Sequence, residues 1–326
     1  MRLRTLATFL IYIFLGINII HAQNIIKGKV VDANKKVLAF VNIGIPNAGI
    51  GTISNDDGTF QLSVGANNLN DSLLIGHVGY ISKKVCVKDI VNKDIEIGLS
   101  FSTQTLQSVT VISIQRKSKS YILGNSRSDG GIINFGTVYS GAQYALLIED
   151  KKVKNNRSFP IYLNSVQIYI NSNNSGKFKV RLNICERNSD THFPDDDKIK
   201  ISVVKEWDIK NGFLDYDLTE YQLLIDQPFF LVAELIQTDI DIKKIANIIR
   251  ENNSITLGKI GQDSTNAKGE NTNLAKSSPQ NIPIAMFGMD IRKSAMKHYI
   301  CYARKASFAK WEQVPTILTA TATLSN

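Results

Sequence analysis

The chain has 326 residues and a formal charge of +9, and 43% of its residues are hydrophobic. That length allows roughly two domains at ~150 residues each, and the apolar share excludes a globally disordered chain. The basic residues are scattered apart from one cluster, Arg116-Lys117-Ser118-Lys119. The charge therefore reads as solubility, with attraction to acidic glycans or an anionic membrane surface as the sharper alternative.

Residues 1–22 are expected to be a secretory signal peptide. Arg2 and Arg4 precede an apolar run, Phe9 to Ile20, and Ile20-His21-Ala22 ends in a small residue that suits cleavage. The run falls short of the about 20 apolar residues of a bilayer span, so an uncleaved anchor is the lesser reading. No Cys lies at the cleavage point, which disfavours a lipoprotein anchor. No later run is long enough to span, so no transmembrane segment is expected in the mature chain. Export disfavours nucleic acid as a partner. The mature chain holds Cys86, Cys185 and Cys301, an odd number that argues against a disulfide framework. Buried free thiols are expected, with a Cys185–Cys301 bridge as the alternative.

A first domain is expected over residues 23–114, able to fold alone. Ile25 to Val31 reads as a strand, and so does Leu38 to Ile45, with Val41, Ile43 and Ile45 on one face. Gly49 to Leu62, G-I-G-T-I-S-N-D-D-G-T-F-Q-L, reads as a β-hairpin turning at Asn55-Asp56-Asp57-Gly58, with Phe60, Leu62 and Val64 alternating beyond it. Further strands are expected at Asp71 to Tyr80, Ile81 to Val87, Ile95 to Leu99 and Leu106 to Ile112. About seven short strands at turn-punctuated spacing predict a small β-sandwich.

Four ordered motifs carry a family resemblance: G-K-V-V-D (Gly28 to Asp32), L-A-F-V-N-I (Leu38 to Ile43), G-T-I-S-N-D-D-G-T-F (Gly51 to Phe60) and L-I-G-H-V-G-Y (Leu74 to Tyr80). Together they resemble the carboxypeptidase-regulatory-like domain over residues 25 to about 112, which implies a transthyretin-like, Ig-like β-sandwich. Such domains often begin the TonB-dependent transporters of Gram-negative bacteria, and Leu106-Gln107-Ser108-Val109-Thr110-Val111 resembles the strand that leads into their plug. The remainder of this chain is too short for a barrel. The resemblance implies export to the periplasm, cell surface or outer membrane of a Gram-negative bacterium.

The family name invites a peptidase reading that the residues do not support. His77, His192 and His298 are followed by V-G-Y, F-P-D and Y-I-C, so none has the Glu three positions on that a zinc H-x-x-E motif requires. His77 sits in a strand pattern and reads as a packed histidine. An EF-hand register on Gly58 would put Ile53 at the first ligand position, and Ile53 cannot ligate. Gly49-x-Gly51 has Ser54 where a dinucleotide fingerprint needs Gly.

Gln115 to Gly131 is polar and Gly/Ser-rich and is read as a linker, residues 115–131. A larger β domain is expected over 132–326. Tyr144 to Ile148 is a compact strand, and Pro160 to Ile170 alternates with Val166, Ile168 and Ile170 on one face. Asn171 to Gly176 reads as a turn. Phe178, Val180, Leu182 and Ile184 alternate with Lys179, Arg181 and Asn183, which predicts a half-buried strand with a basic outer face. Ile201 to Trp207, Phe213 to Leu218 and Phe229 to Ile236 continue the pattern. A short helix is expected near 240–251 and a long flexible loop over Gly261 to Gln280. Ile282 to Met289, Lys297 to Arg304 and Thr316 to Leu324 close the domain. The motifs F-K-V-R-L-N-I, Y-x-L-L-I-x-x-P-F-F-L-V-A-E and Y-A-R-K-A-S-F-A-K-W make it similar to jelly-roll domains found beside regulatory-like modules. The fold expected overall is all-β, a transthyretin-like sandwich followed by a larger jelly-roll-like sandwich.

Two features of the second domain could bind a ligand. Asp195-Asp196-Asp197 offers three carboxylates that would suit calcium, or else forms a solvated loop. Trp207, Trp311 and Tyr169 could stack on sugar rings, or else pack in the core. No nucleophile elbow appears. A non-catalytic exported binding or scaffold protein is expected, its second domain binding a glycan or a cell-envelope protein. A hydrolase with its site on the jelly-roll loops and an accessory subunit of an outer-membrane assembly are the alternatives, since a carboxylate pair is set by fold and not by spacing.

Overall fold

The computed structural model describes residues 24–102, 120–128, 140–149, 160–174, 176–238, Asp241, Asn247 and 285–325. The expected signal peptide, the Leu106 to Ile112 strand, the loop at Gly261 to Gln280 and all of the helix near 240–251 except Asp241 and Asn247 lie outside these residues; those two are helical. No helix among the described residues is long and apolar enough to cross a membrane.

The first domain has seven strands: β1 (Asn24–Asp32), β2 (Asn42–Ile45), β3 (Ile50–Ile53), β4 (Thr59–Val64), β5 (Ser72–Gly76), β6 (Lys83–Cys86) and β7 (Asp94–Leu99), with a one-turn helix α1 (Val87–Ile90) before the last. They form two sheets, β4-β1-β7 and β3-β2-β5-β6, antiparallel except for the parallel β1–β7 pair. Ile26, Val30, Val41, Ile43, Phe60, Leu73 and Ile97 fill the space between them. This is the expected sandwich, except that β5 ends at Gly76, so His77 lies beyond the strand expected over Asp71 to Tyr80, and with two further local corrections.

Gly49 to Leu62 is not a hairpin. The turn is there: the Gly58 amide donates to Asn55 O at 3.0 Å, the Asn55 amide to Thr59 O at 2.8 Å, and Gly58 has φ +77°. Its two arms part, however. β3 pairs with β2 in one sheet and β4 with β1 in the other. Each arm buries one face in the same core, so an arch between sheets satisfies the alternation as well as a hairpin would. The second correction concerns Leu38 to Ile45, of which only Asn42–Ile45 is strand. Phe40 has φ +56°, and Ser54 fastens the irregular stretch, its hydroxyl accepting from the Val41 amide and donating to Leu38 O, both at 2.9 Å.

The second domain is a jelly roll with added strands. In chain order these are β8 (Ser120–Asn125), β9 (Gln143–Ile148), β10 (Ile161–Asn173), β11 (Phe178–Arg187), β12 (Pro194–Trp207), β13 (Gly212–Asp217), β14 (Leu223–Ile225), β15 (Phe229–Ile236), β16 (Ala285–Phe287), β17 (Met289–Asp290), the helix α2 (Lys293–His298), β18 (Cys301–Arg304), β19 (Glu312–Gln313), β20 (Ile317–Leu318) and β21 (Ala320–Ser325). One sheet runs β8-β21-β10-β13 and the facing one β9-β15-β11-β12, all pairs antiparallel, with the chain passing back and forth between them. That winding of eight strands defines the architecture. β18 and β19 extend the second sheet beyond β9, and β14 and β16 pair with β10. Val166, Ile168 and Ile170 from one sheet meet Leu146, Leu182, Ile184 and Leu231 from the other. The phenol of Tyr216 crosses this core to donate to Val180 O at 2.9 Å, so its one polar atom is satisfied.

Three expectations change here. Residues 120–125 lie in the expected linker, yet they form β8, paired along its length with β21; Tyr121 and Leu123 pack on the core and hold it there. The stretch from Lys297 is helix up to His298, and the strand starts only at Cys301. The expected turn at Asn171 begins later, since β10 runs to Asn173.

Candidate functional site

The two outer faces of the jelly roll differ. On β9-β15-β11-β12 the outward positions form a row of polar side chains at matched register: Arg181 opposite Glu234, Glu234 opposite Gln143, Gln143 opposite Arg304. Arg181 Nη1 and Gln143 Nε2 each donate to Glu234 Oε2 at 2.9 Å. Arg304 donates to Gln143 Oε1 and, through both terminal nitrogens, to the Asp196 carboxylate at 2.6 and 2.9 Å. Two cations and two anions thus neutralise one another, and Arg181, Glu234, Gln143 and Arg304 are all buried. Buried charges persist only when paired in this way.

The first domain covers this face. Arg181 Nη1 donates to Asn42 Oδ1 at 2.9 Å, and Arg181 Nη2 bonds Phe40 O. Lys179 pairs with Asp56 at 2.8 Å and lies 4.9 Å above the Phe40 ring. The expected solvent-facing basic side of β11 is therefore a buried junction between domains. A second core beyond it, with Leu147, Cys185, Phe230 and Trp311, closes the rest of the face.

Among the described residues, the outer face of β8-β21-β10-β13 exposes side chains on the flanking strands β8 and β13, while Thr321 of the central strand β21 is buried. Ser165 lies opposite both Asp217 and Thr323, and Thr323 opposite Ile122. Gln167, opposite Asp215, donates to its carboxylate at 2.5 Å. Next in register, Tyr169 and Phe213 meet edge to face with centroids 4.9 Å apart. Ile122 is 65% exposed and Phe213 38%. The carboxyl of Asp217 is held below its usual range by the Thr219 hydroxyl and amide, so it is ionised on this face. An aromatic pair, Phe213 exposed and Tyr169 half-buried, beside carboxylate and amide groups offers both a stacking surface and hydroxyl-binding groups.

Of the three aromatic residues singled out in the sequence, only Tyr169 lies on this face. Trp311 is 8% exposed, with its ring covered by the Arg304 guanidinium 4.4 Å away. Trp207 packs on the core with its ring 5.5 Å from that of Tyr216, in the opposite sheet from Tyr169. Both tryptophans do core work, and the structure does not bring the three together. Phe213, Gln167 and Asp215 were not singled out; the alternation from Phe213 to Leu218 was the signal, since it puts Phe213 and Asp215 on one side.

Asp195, Asp196 and Asp197 belong to the start of β12 and not to a loop. Asp196 is committed to Arg304, and Asp195 accepts from Asn188 Nδ2 at 3.2 Å, so the carboxylates do not converge as calcium ligands would. No group of three His, Cys, Asp or Glu among the described residues could hold a metal ion. His77 is half-buried, and burial, then the charge of Arg181, lowers its pKa. All three cysteines are free. Cys185 on β11 and Cys301 on β18 have β15 and β9 between them, about 14 Å at strand spacing, which rules out the alternative bridge. Burial raises both thiols, that of Cys301 to about 12.

Comparison with known proteins bears on the first domain. Residues 26–111 match the family model of the CarboxypepD_reg-like domain. The match spans about a quarter of the chain and agrees with the sandwich of β1 to β7. Among solved structures, the chain is similar to a DUF3823 family protein from Bacteroides ovatus ATCC 8483, at 8% identity over 67% of this chain and 93% of that one, with a TM-score of 0.18. A likeness that weak leaves the jelly roll to rest on its own strand order. No curated protein matches the chain.

Proposed function

We propose that this is an exported binding protein whose jelly roll presents the β8-β21-β10-β13 face to a glycan, with the CarboxypepD_reg-like domain as a fixed pedestal behind it. The observation that supports this reading is the asymmetry of the two faces. One is sealed by the first domain and a second core; the other carries Tyr169 and Phe213 beside Gln167 and Asp215. A rigid β scaffold holds binding residues on its accessible surface, and among the described residues this face is the less covered of the two. Export rests on the pattern of Arg2, Arg4 and Phe9 to Ile20.

The test uses the full mature chain on a panel of neutral and acidic polysaccharides, by affinity electrophoresis and calorimetry. Binding to at least one polymer is expected, and Tyr169→Ala with Phe213→Ala should weaken it at least tenfold while the thermal transition is kept. Binding that survives both substitutions, or no binding to any polymer, refutes this reading.

A further inference from the structure

We propose that the turn at Ser307–Phe308 of the jelly roll is a lock seated in a glycine-lined slot of the first domain, so that the two domains unfold as one body. Gly44 on β2 and Gly51 on β3 are cross-strand partners, and the Ser307 backbone lies against both. A methyl group at Gly44 would sit 2.2 Å from Ser307 O, and one at Gly51 would sit 3.1 Å from Ser307 N. From the other side, Gly141 approaches so closely that its own methyl would be 2.6 Å from Ser307 N. Ser307 is fully buried, and its hydroxyl lies 3.3 Å from both Asn42 Oδ1 and Thr52 O. Phe308 extends the contact, with Cζ 3.0 Å from where a methyl at Gly76 would stand.

Three arguments favour a lock over an incidental contact. The clearance is at backbone level on both sides, which only glycine permits. Asn42 is shared, since its Oδ1 faces both Ser307 and Arg181, so the slot and the buried polar row engage the same residue. Phe40 and Phe308 hold φ of +56° and +63°, conformations that an aromatic residue keeps only where its surroundings impose them, and each lies on one side of this junction.

The probe is Gly44→Ala in the full chain. Within its own domain the nearest atom to a methyl there is Ile50 O at 3.2 Å, against 2.2 Å for Ser307 O across the junction, so the junction takes the tighter clash. Gly98→Ala is the control, because a methyl at Gly98 meets nothing within 4 Å. Calorimetry should show one transition for the native chain and for Gly98→Ala, and two for Gly44→Ala, with a larger radius of gyration in solution scattering. If Gly44→Ala gives no folded protein, Phe308→Gly decides by the same readout, since it removes the ring and relieves the positive φ. Two independent transitions in the native chain, or a single transition at any temperature in a folded Gly44→Ala or in Phe308→Gly, overturns the proposal.

Discussion

Replacing Arg181 by Met tests whether the buried row holds the molecule together. Arg181 is 4% exposed, and Glu234, which it faces, is fully buried. Removing the cation leaves the Glu234 carboxylate with only the Gln143 amide, and it takes the donor from Asn42 Oδ1 and Phe40 O. Breaking a buried pair from one side costs about 3–5 kcal/mol. For a domain of about 150–250 residues each kcal/mol moves the melting temperature by about 2–4 °C, so a fall of roughly 6–20 °C is expected. The double variant Arg181→Met with Glu234→Leu removes both charges, and most of the loss should return. A loss of about 1–3 kcal/mol should persist, from Phe40 O left without the Arg181 donor and Asn42 Oδ1 left with only the Ser307 hydroxyl. Urea denaturation followed by circular dichroism gives each value. A loss below about 1 kcal/mol for the single variant, the range of exposed pairs, would refute the burial argument. Full recovery in the double variant would show that Arg181 contributes nothing across the junction.

Gly58→Val should cost about 1–3 kcal/mol, because φ is +77° and a Cβ there would stand 2.7 Å from Val30 O; an unchanged urea midpoint would contradict the turn geometry. Lys179→Ala should change stability by less than about 1 kcal/mol, since its partner Asp56 is 72% exposed, and a larger loss would mean that the Phe40 contact dominates. Burial, then Arg181, holds His77 below its usual 6.5, so its stabilising contribution is present above about that pH and is lost as pH falls through the folded value. His77→Gln should therefore flatten the loss of melting temperature on going from about pH 7 to about pH 5, and a profile parallel to the native one would remove His77 as its source. In the native protein a thiol reagent should label Cys86, which is half-buried, and leave Cys185 and Cys301 until unfolding; labelling of all three at one rate would contradict the burial.

Strand existence was legible from local pattern, and strand partnership was not. Val166, Ile168 and Ile170 face the core as their alternation requires, and Phe229–Ile236 is a strand over its whole expected length. The arch at Gly58 shows the limit. A turn flanked by two alternating strands looks the same whether the arms pair with each other or with strands tens of residues away, because the alternation reports only that each arm has a buried side. β8 was hidden for a different reason. Only Tyr121 and Leu123 of its six residues are apolar side chains packed on the core, and they come after a run of Lys and Ser, so the segment resembles the linker beside it. Tyr169 was found as an aromatic in an alternating strand. Its partner Phe213 comes from β13, 44 residues away in sequence by subtraction of the two numbers, and that register exists only in the folded sheet.

The buried row poses a sharper question, because Lys179, Arg181 and Asn183 read as a solvent-facing side, yet Arg181 and Asn183 are buried and Lys179 sits at the rim against Asp56. One signal was present in the sequence. Glu234 is the single charge in F-F-L-V-A-E-L-I, a run without polar residues at the alternate positions, and such a strand is buried on both faces. A carboxylate fixed in that strand must be met by a cation, since an unpaired one is too costly to bury. The partner had to come from a strand of similar character, and F-K-V-R-L-N-I-C places Arg181 between Val180 and Leu182, at the register of Glu234 once β11 and β15 pair. A lone carboxylate in an apolar strand, with a cation at its register in the neighbouring strand, thus implies by its own chemistry that the sheet face they share is covered. What they could not reveal is the cover, because the slot that admits Ser307 is made of glycines, and a glycine in a strand looks the same whether solvent or another domain lies above it.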